Sequence, residues 1–184
     1  MGILTVYNDS DPATPLFHSA DAAVIAARLG EAGIRFERWQ ALRDIPSGAD
    51  DAAVFDVYKA DIDRLVAEEG YRSFDIVRML PDNERRAEMR GKFLDEHTHA
   101  EDEVRFFVEG SGMFYLHLGD QVCMVRCEAG DFIGVPAGTP HWFDMGPAPR
   151  FTAIRLFMSP DGWAARFTGR PYSERFPRYE TAAG

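Results

Sequence analysis

Apolar and polar positions follow two different rhythms along this chain of 184 residues. In the first ninety residues helical and strand patterns are mixed. Between Ala52 and Glu69, Val54, Phe55, Tyr58, Ile62, Leu65 and Val66 fall on one face at helical spacing, and Gly70 suits the stop. Ile34–Trp39 and Phe74–Leu80 read as strands. Ser19 is expected to cap a short helix ending near Gly33, and Asn83 to cap another. From Phe93 to Met158 the texture changes. Short runs rich in Phe, Val and Ile (Val104–Val108, Met113–Leu118, Gln121–Cys127, Phe132–Val135, Phe151–Met158) are separated by Gly, Pro and Asp. Many closely spaced short strands predict a β-sandwich or barrel. The tail from Gly169 onward has Pro, Arg and small residues without periodicity, and is expected to wrap the surface or fray.

Composition narrows the possibilities further. The length suits one well-buried domain better than two. A net charge of −10 argues against nucleic acid as a partner, because phosphate binding needs clustered Lys and Arg. No apolar run reaches the roughly 18 residues of a membrane helix. The start, Met1-Gly-Ile-Leu-Thr-Val6, has neither a basic region nor a signal-like apolar run, and Val6 stands where myristoylation wants Ser or Thr. A cytoplasmic location is expected. Cys123 and Cys127 fall in one strand, where four residues span about 13 Å, too far for a disulfide. Free thiols are the reading that fits.

The candidate chemistry lies in two stretches. The first is Glu96-His97-Thr-His99-Ala-Glu-Asp102-Glu103. On a strand, residues i and i+2 share a face, so two imidazoles with backbones about 7 Å apart can converge on one ion. Glu103 adds a hard oxygen after a short turn. The second is Pro136-Ala-Gly138-Thr-Pro-His141, a tight turn that delivers a third imidazole at the start of a strand. Three nitrogens and one oxygen leave two places open on an octahedral ion. Such a set suits iron, nickel or manganese better than a closed zinc site, and leaves room for a chelating substrate. His117 and His18 are expected to be structural, His18 in a loop or cap.

Two arginines stand out. Arg105 shares strand parity with Glu103 and Phe107, and Arg155 is centred in the apolar run Ala153–Phe157. A guanidinium inside a barrel is costly unless an anion pairs with it. Either each arginine forms a structural bridge to Glu96, Asp95 or Asp102, or both face an anionic, chelating substrate beside the metal. Phe93, Phe107, Phe143 and Trp163 are candidates for the apolar walls.

The two metal stretches resemble the two motifs of the cupins, with Met145 where many cupins have Asn. The resemblance narrows further. Phe93-Leu-Asp-Glu-His-Thr-His99, Glu101-Asp-Glu-Val-Arg-Phe-Phe-Val-Glu-Gly110, Val135-Pro-Ala-Gly-Thr-Pro-His-Trp-Phe-Asp-Met-Gly146 and Phe151-Thr-Ala-Ile-Arg155 look like the bacterial acireductone dioxygenase family. Arg35-Phe-Glu-Arg-Trp-Gln40 and Leu65-Val-Ala-Glu-Glu-Gly-Tyr71 extend the similarity into the first half.

The resemblance implies a mainly β fold, a cupin (double-stranded β-helix, jelly-roll) barrel with flanking α-helices. A mixed α/β part over residues 1–90 would pack on a barrel core at 91–158, with a C-terminal segment at 159–184, all in one domain. It implies one Fe(II) or Ni(II) ion per chain on His97, His99, Glu103 and His141. Arg105 would favour the doubly deprotonated substrate, and Glu96 and Asp102 would tune metal uptake and local conformation. Arg155, Phe93, Phe143 and Trp163 are the further substrate-contact candidates. The partners would be acireductone, the enediol of methionine salvage, and O2, with no nucleic acid or membrane and a monomeric chain. In the family, iron gives formate and 4-methylthio-2-oxobutanoate, and nickel gives formate, carbon monoxide and 3-methylthiopropanoate. Another cupin dioxygenase, a metal isomerase or a small-molecule sensor would share the ligand set. A transcriptional sensor should also carry a basic helix-turn-helix, and no such pattern is present.

Overall fold

The computed structural model describes residues 2–39, 45 and 49–180; Met1 and Gln40 of the stretches read above, and the end of the tail at 181–184, lie outside them. In chain order the strands are β1 (Ile3–Asn8), β2 (Asp11–Ser19), β3 (Arg35–Arg38), β4 (Ser73–Met79), β5 (His97–Thr98), β6 (Glu103–Leu118), β7 (Gln121–Glu128), β8 (Asp131–Val135), β9 (His141–Asp144), β10 (Phe151–Phe157) and β11 (Arg166–Phe167). Three helices, α1 (Ala22–Gly30), α2 (Asp51–Glu69) and α3 (Arg86–Leu94), and a 3-10 turn at Tyr172–Glu174 complete the fold. Every strand pairing among the described residues is antiparallel. One sheet runs β2-β1-β7-β6-β9-β5-β11 and the other β3-β8-β6-β10-β4, with β6 shared. This is the expected cupin architecture, two antiparallel sheets folded over one interior.

The sharing of β6 sets the geometry. Its first half pairs with β8 and β10, its second half with β7 and β9. The sequence suggests two strands broken at Gly110-Ser-Gly112, whereas the chain runs through as one bent strand. Gly110 makes the bend at φ 71°, and a Cβ there would overlap the Arg150 carbonyl. The first half of β6 is buried on both faces. Val104 and Phe106 pack outward against Val54, Tyr58, Ile62 and Leu65 of α2, while Phe107 joins the interior cluster of Phe114, Phe143 and Phe151. Covering both faces of this strand explains its near-continuous apolar sequence.

The helix at 51–69 forms as its periodicity predicts, with Asp50 accepting from the Ala53 amide and Gly70 in the left-handed region at φ 80°. Other boundaries move. Asp21, not Ser19, caps α1, which ends at Gly30. Asn83 accepts from the Arg85 amide in the turn before α3 rather than capping it. Phe93 belongs to α3, so the barrel proper begins later than residue 91. Residues 2–19 form a hairpin, which places His18 in β2, bonded to the Thr5 hydroxyl, rather than in a loop. Strands from the first ninety residues extend both sheets: β1 pairs with β7, β3 with β8 and β4 with β10. The tail wraps. Phe176 packs on Tyr7, Tyr115 and Trp142 over the outer face of the larger sheet, and Tyr115 donates to the Pro177 carbonyl. Cys123 and Cys127 are buried free thiols, as expected.

Candidate metal centre

His97, His99, Glu103 and His141 meet at one end of the interior. β5 and β9 are paired through His97 and His141 themselves, and His141 also faces Leu116 of β6. Glu103 opens β6. All four are buried. Each imidazole is held by its Nδ1–H, which donates to a backbone carbonyl: His97 to Asp95 at 2.7 Å, His99 to Ala164 at 3.1 Å and His141 to Thr139 at 2.8 Å. A carbonyl can only accept, so Nδ1 carries a proton in each ring and Nε2 is the nitrogen turned toward the shared centre. The imidazoles' candidate donor nitrogens lie within 4.8 Å of one another. The Glu103 Oε2 lies 2.8 Å from His141 Nε2 and 3.4 Å from His99 Nε2. The two Glu103 contacts are near the spacing of about 3 Å that separates neighbouring donors around an octahedral ion; the three imidazoles form the compact metal-binding group, with Glu103 beside it.

The electrostatics are those of a cation site. Burial opposes the charged form of His97 and pushes its pKa down to about 4, helped by the neighbouring His141. His99 also loses by burial, but its bond to Glu103 outweighs that and raises its pKa. Burial alone would raise the Glu103 carboxyl; the Arg105 guanidinium and the two imidazoles overturn this and hold it well below the usual carboxylate range. Glu103 thus stays an anion ready to bind a cation.

Arg105 points inward, as its parity predicts. Its partner, however, is Glu103 itself rather than Asp95, Glu96 or Asp102: Nε and Nη2 approach the Glu103 Oε1 at 2.7 and 2.6 Å. The guanidinium is buried among the rings of Phe143, Phe114 and Phe93, at 4.6, 5.0 and 5.7 Å. Among the described residues, its Nη1 is buried without a hydrogen-bond partner. A buried guanidinium N–H of this kind calls for an acceptor that the described residues do not supply.

The centre opens into a cavity of about 580 Å³ lined by His97, His99, Glu103, Arg105, Arg155, Phe93 and Trp163, among others. Arg155 is in the cavity wall, but its charge is met by Asp75 of β4 through Nε at 2.8 Å and Nη2 at 2.6 Å. None of the three carboxylates considered from sequence is its partner. Trp163 sits at the rim, 55% exposed. Phe143 does not reach the cavity; it is core, lying beneath Arg105. Phe107 is likewise core. Glu96, just before β5, is engaged elsewhere, accepting from His117 Nδ1 at 2.9 Å and from the Thr168 hydroxyl at 2.6 Å. His117 is not in the cluster of three imidazoles and bonds Glu96 and Asp9. Asp102 is exposed on the opposite side, where it accepts from the Ala137 amide and so ties the turn before His141 to the strand end that carries Glu103. Wall residues Val77, Met89, Phe157 and Phe167 were missed. They come from four separate elements, β4, α3, β10 and β11, and only the inward parity of Phe157, two residues beyond Arg155, is a signal in the sequence.

A double-sheet barrel with three inward imidazoles and a carboxylate defines a metal-binding protein of the cupin class. Comparison with known proteins makes this specific. Residues 3–165 match the ARD/ARD' family. The chain is 55% identical over 179 residues to the acireductone dioxygenase of Stenotrophomonas maltophilia strain K279a, covering 97% of each. It is 54% identical to that of Citrobacter koseri, covering 97% of this chain and 99% of the relative. The solved acireductone dioxygenase of Bacillus anthracis, with a cadmium ion in its active centre, superposes with a TM-score of 0.79 at 26% identity, covering 91% of this chain and 98% of that one. The chain belongs to the ARD/ARD' family and is a dioxygenase.

Proposed function

We propose that this chain cleaves acireductone with O2 in methionine salvage, as a cytoplasmic single-domain monomer carrying one Fe(II) or Ni(II) ion on His97, His99, Glu103 and His141. The observation that carries this is the juxtaposition of His97, His99 and Glu103 in the wall of one cavity, with His141 against them, and the unpaired Nη1 of Arg105. A divalent ion held by His97, His99, Glu103 and His141 would supply Lewis acidity that favours the deprotonated form of an enediol. The three backbone carbonyls at the imidazole Nδ1 atoms fix the rings, so little reorganisation is needed on loading.

Arg105 does two things. Two of its nitrogens hold Glu103 in place, and Nη1 is left to donate to an enediolate oxygen. Its charge favours the doubly deprotonated substrate, the electron-rich form that reacts with O2. Burial strengthens that interaction because water does not compete for it. Phe93, Phe157 and Trp163 shelter the site and accommodate the apolar remainder of the ligand. Arg155 lies beside the cavity with Asp75 attached, so it contributes a screened positive charge rather than a bare one. Glu96 and Asp102 act at one remove, by anchoring the backbone on either side of the ligands.

No helix among the described residues is long and apolar enough to cross a membrane. Loading the metal-free protein with either ion and analysing products tests the reading. Iron should give formate and 4-methylthio-2-oxobutanoate, and nickel formate, carbon monoxide and 3-methylthiopropanoate. Isomerisation without O2 uptake would overturn it.

A further inference from the structure

The chain leaving β10 does not turn away from the cavity. Residues 158–168 cross its mouth, placing Trp163, Ala164, Ala165 and Phe167 in the wall. At its far end the Thr168 amide donates to the Glu96 carbonyl at 2.9 Å. At its near end everything converges on one carboxylate. Glu101 accepts from the amides of Met158 at 3.1 Å and Ser159 at 3.0 Å and from the Ser159 hydroxyl at 2.5 Å. Gly162, buried at the turn that follows, is packed against the same carboxylate: a Cβ there would overlap Glu101 Oε2 and lie 3.2 Å from its Cδ.

Glu101 lies in the loop between His99 and Glu103, two of the four metal-site residues. We propose that Glu101 is a positioning residue for catalysis, clamping the 158–168 segment so that it forms the substrate-facing wall and holds the His99 ring. The second part follows from the Ala164 carbonyl, which accepts the His99 Nδ1–H from the middle of the same segment. Beyond these anchors, the segment is held by the short pairing of Arg166 with Thr98 and Phe167 with His97. Most of it is exposed on its outer side. A weakly anchored wall depends strongly on each anchor, and three donors on one carboxylate make Glu101 the principal one at this end. The proposal rests on the reading of the cavity as the place where substrate binds.

The test uses the metal-loaded full chain as wild type and as Glu101→Ala, Glu101→Gln and Gly162→Ala. Trypsin cleavage after the exposed Arg166 reports opening of the segment without any substrate. In Glu101→Ala that cleavage should be about tenfold faster, because cleavage follows the population of the open form. KM for acireductone should rise about tenfold with kcat within about threefold, since the wall shapes binding more than it touches the reacting atoms. Gly162→Ala should follow the same pattern, because its methyl displaces the carboxylate; it also decides the matter if Glu101→Ala does not fold. Glu101→Gln should stay near wild type, as the amide oxygen keeps both backbone bonds and the Ser159 hydroxyl can turn to accept. Cleavage rate and KM within twofold of wild type in Glu101→Ala and Gly162→Ala would overturn the clamp. Glu101→Gln as impaired as Glu101→Ala would overturn it too, by showing that charge and not bonding matters. If the wild type fails to consume acireductone, the proposed function falls while the cleavage comparison still decides the clamp.

Discussion

Arg105 and Glu103 divide one carboxylate between two tasks: Oε1 takes the arginine at 2.6 and 2.7 Å, and Oε2 faces His141 at 2.8 Å. The pair is buried, and each charge stays there because of the other. One oxygen is committed to the arginine and the other faces the imidazoles of His141 and His99.

Arg105→Met should therefore show two separable effects. Without metal, Glu103 loses its cation and the protein should melt early, by an amount corresponding to about 3 kcal/mol. Metal loading should restore much of that stability, because the ion compensates the carboxylate. Turnover of the loaded variant should still fall by about two orders of magnitude, which corresponds to about 3 kcal/mol in the barrier. Arg105→Lys should recover only part of it, lacking the planar fork. Thermal unfolding with and without metal, beside steady-state kinetics, reads both. Normal turnover in the loaded Met variant would make Arg105 purely structural.

Gly112 shapes the bed on which Arg105 lies. A Cβ at this position would strike the Phe143 ring, the aromatic nearest the guanidinium. Gly112→Ala should lower stability by about 1–3 kcal/mol through overpacking, and should reduce turnover as Phe143 shifts under Arg105. Unfolding at unchanged denaturant would show that the ring has space to move.

Asp131 gives a pH signature away from the metal. Burial pushes its pKa up from 3.8 to about 6, against the opposing pull of Arg38. A raised folded pKa means that the folded protein binds the proton more tightly than the unfolded chain. Its contribution to stability is then fully present below about 4 and is lost as pH rises through about 6. Asp131→Asn mimics the protonated form and removes this loss. The stability of Asp131→Asn relative to wild type should improve by about 2 kcal/mol between pH 4.5 and pH 7.5. Denaturant unfolding of both proteins across that range checks it, and parallel curves would contradict the shift.

Local spacing made the candidate metal cluster and α2 legible. His97 and His99 share a strand face, Glu103 follows one turn later, and the apolar face of 51–69 needs no tertiary information to be seen. What depended on register was not legible. Arg155 pairs with Asp75 because β4 lies directly opposite β10 across eighty residues of sequence, with those two residues as cross-strand partners. Carboxylates near in sequence were the wrong place to look. β2 is an edge strand, exposed along most of its length and containing Pro12 and Pro15, so it shows no alternation to read. The Gly110-Ser-Gly112 stretch has the composition of a turn, and only the second sheet's position shows that it bends a continuous strand. Phe143 lies two residues beyond His141 and shares its parity, yet β9 carries it past the cavity floor into the core.

Metal content per chain after exhaustive dialysis tests the centre most directly. Wild type and His117→Ala should each retain one tightly bound divalent ion, since His117 bonds Glu96 and Asp9 and not the centre. His97→Ala and His141→Ala should lose it, because each leaves three donors where four are needed. Full retention of tight metal by both His97→Ala and His141→Ala would contradict the proposed ligand set.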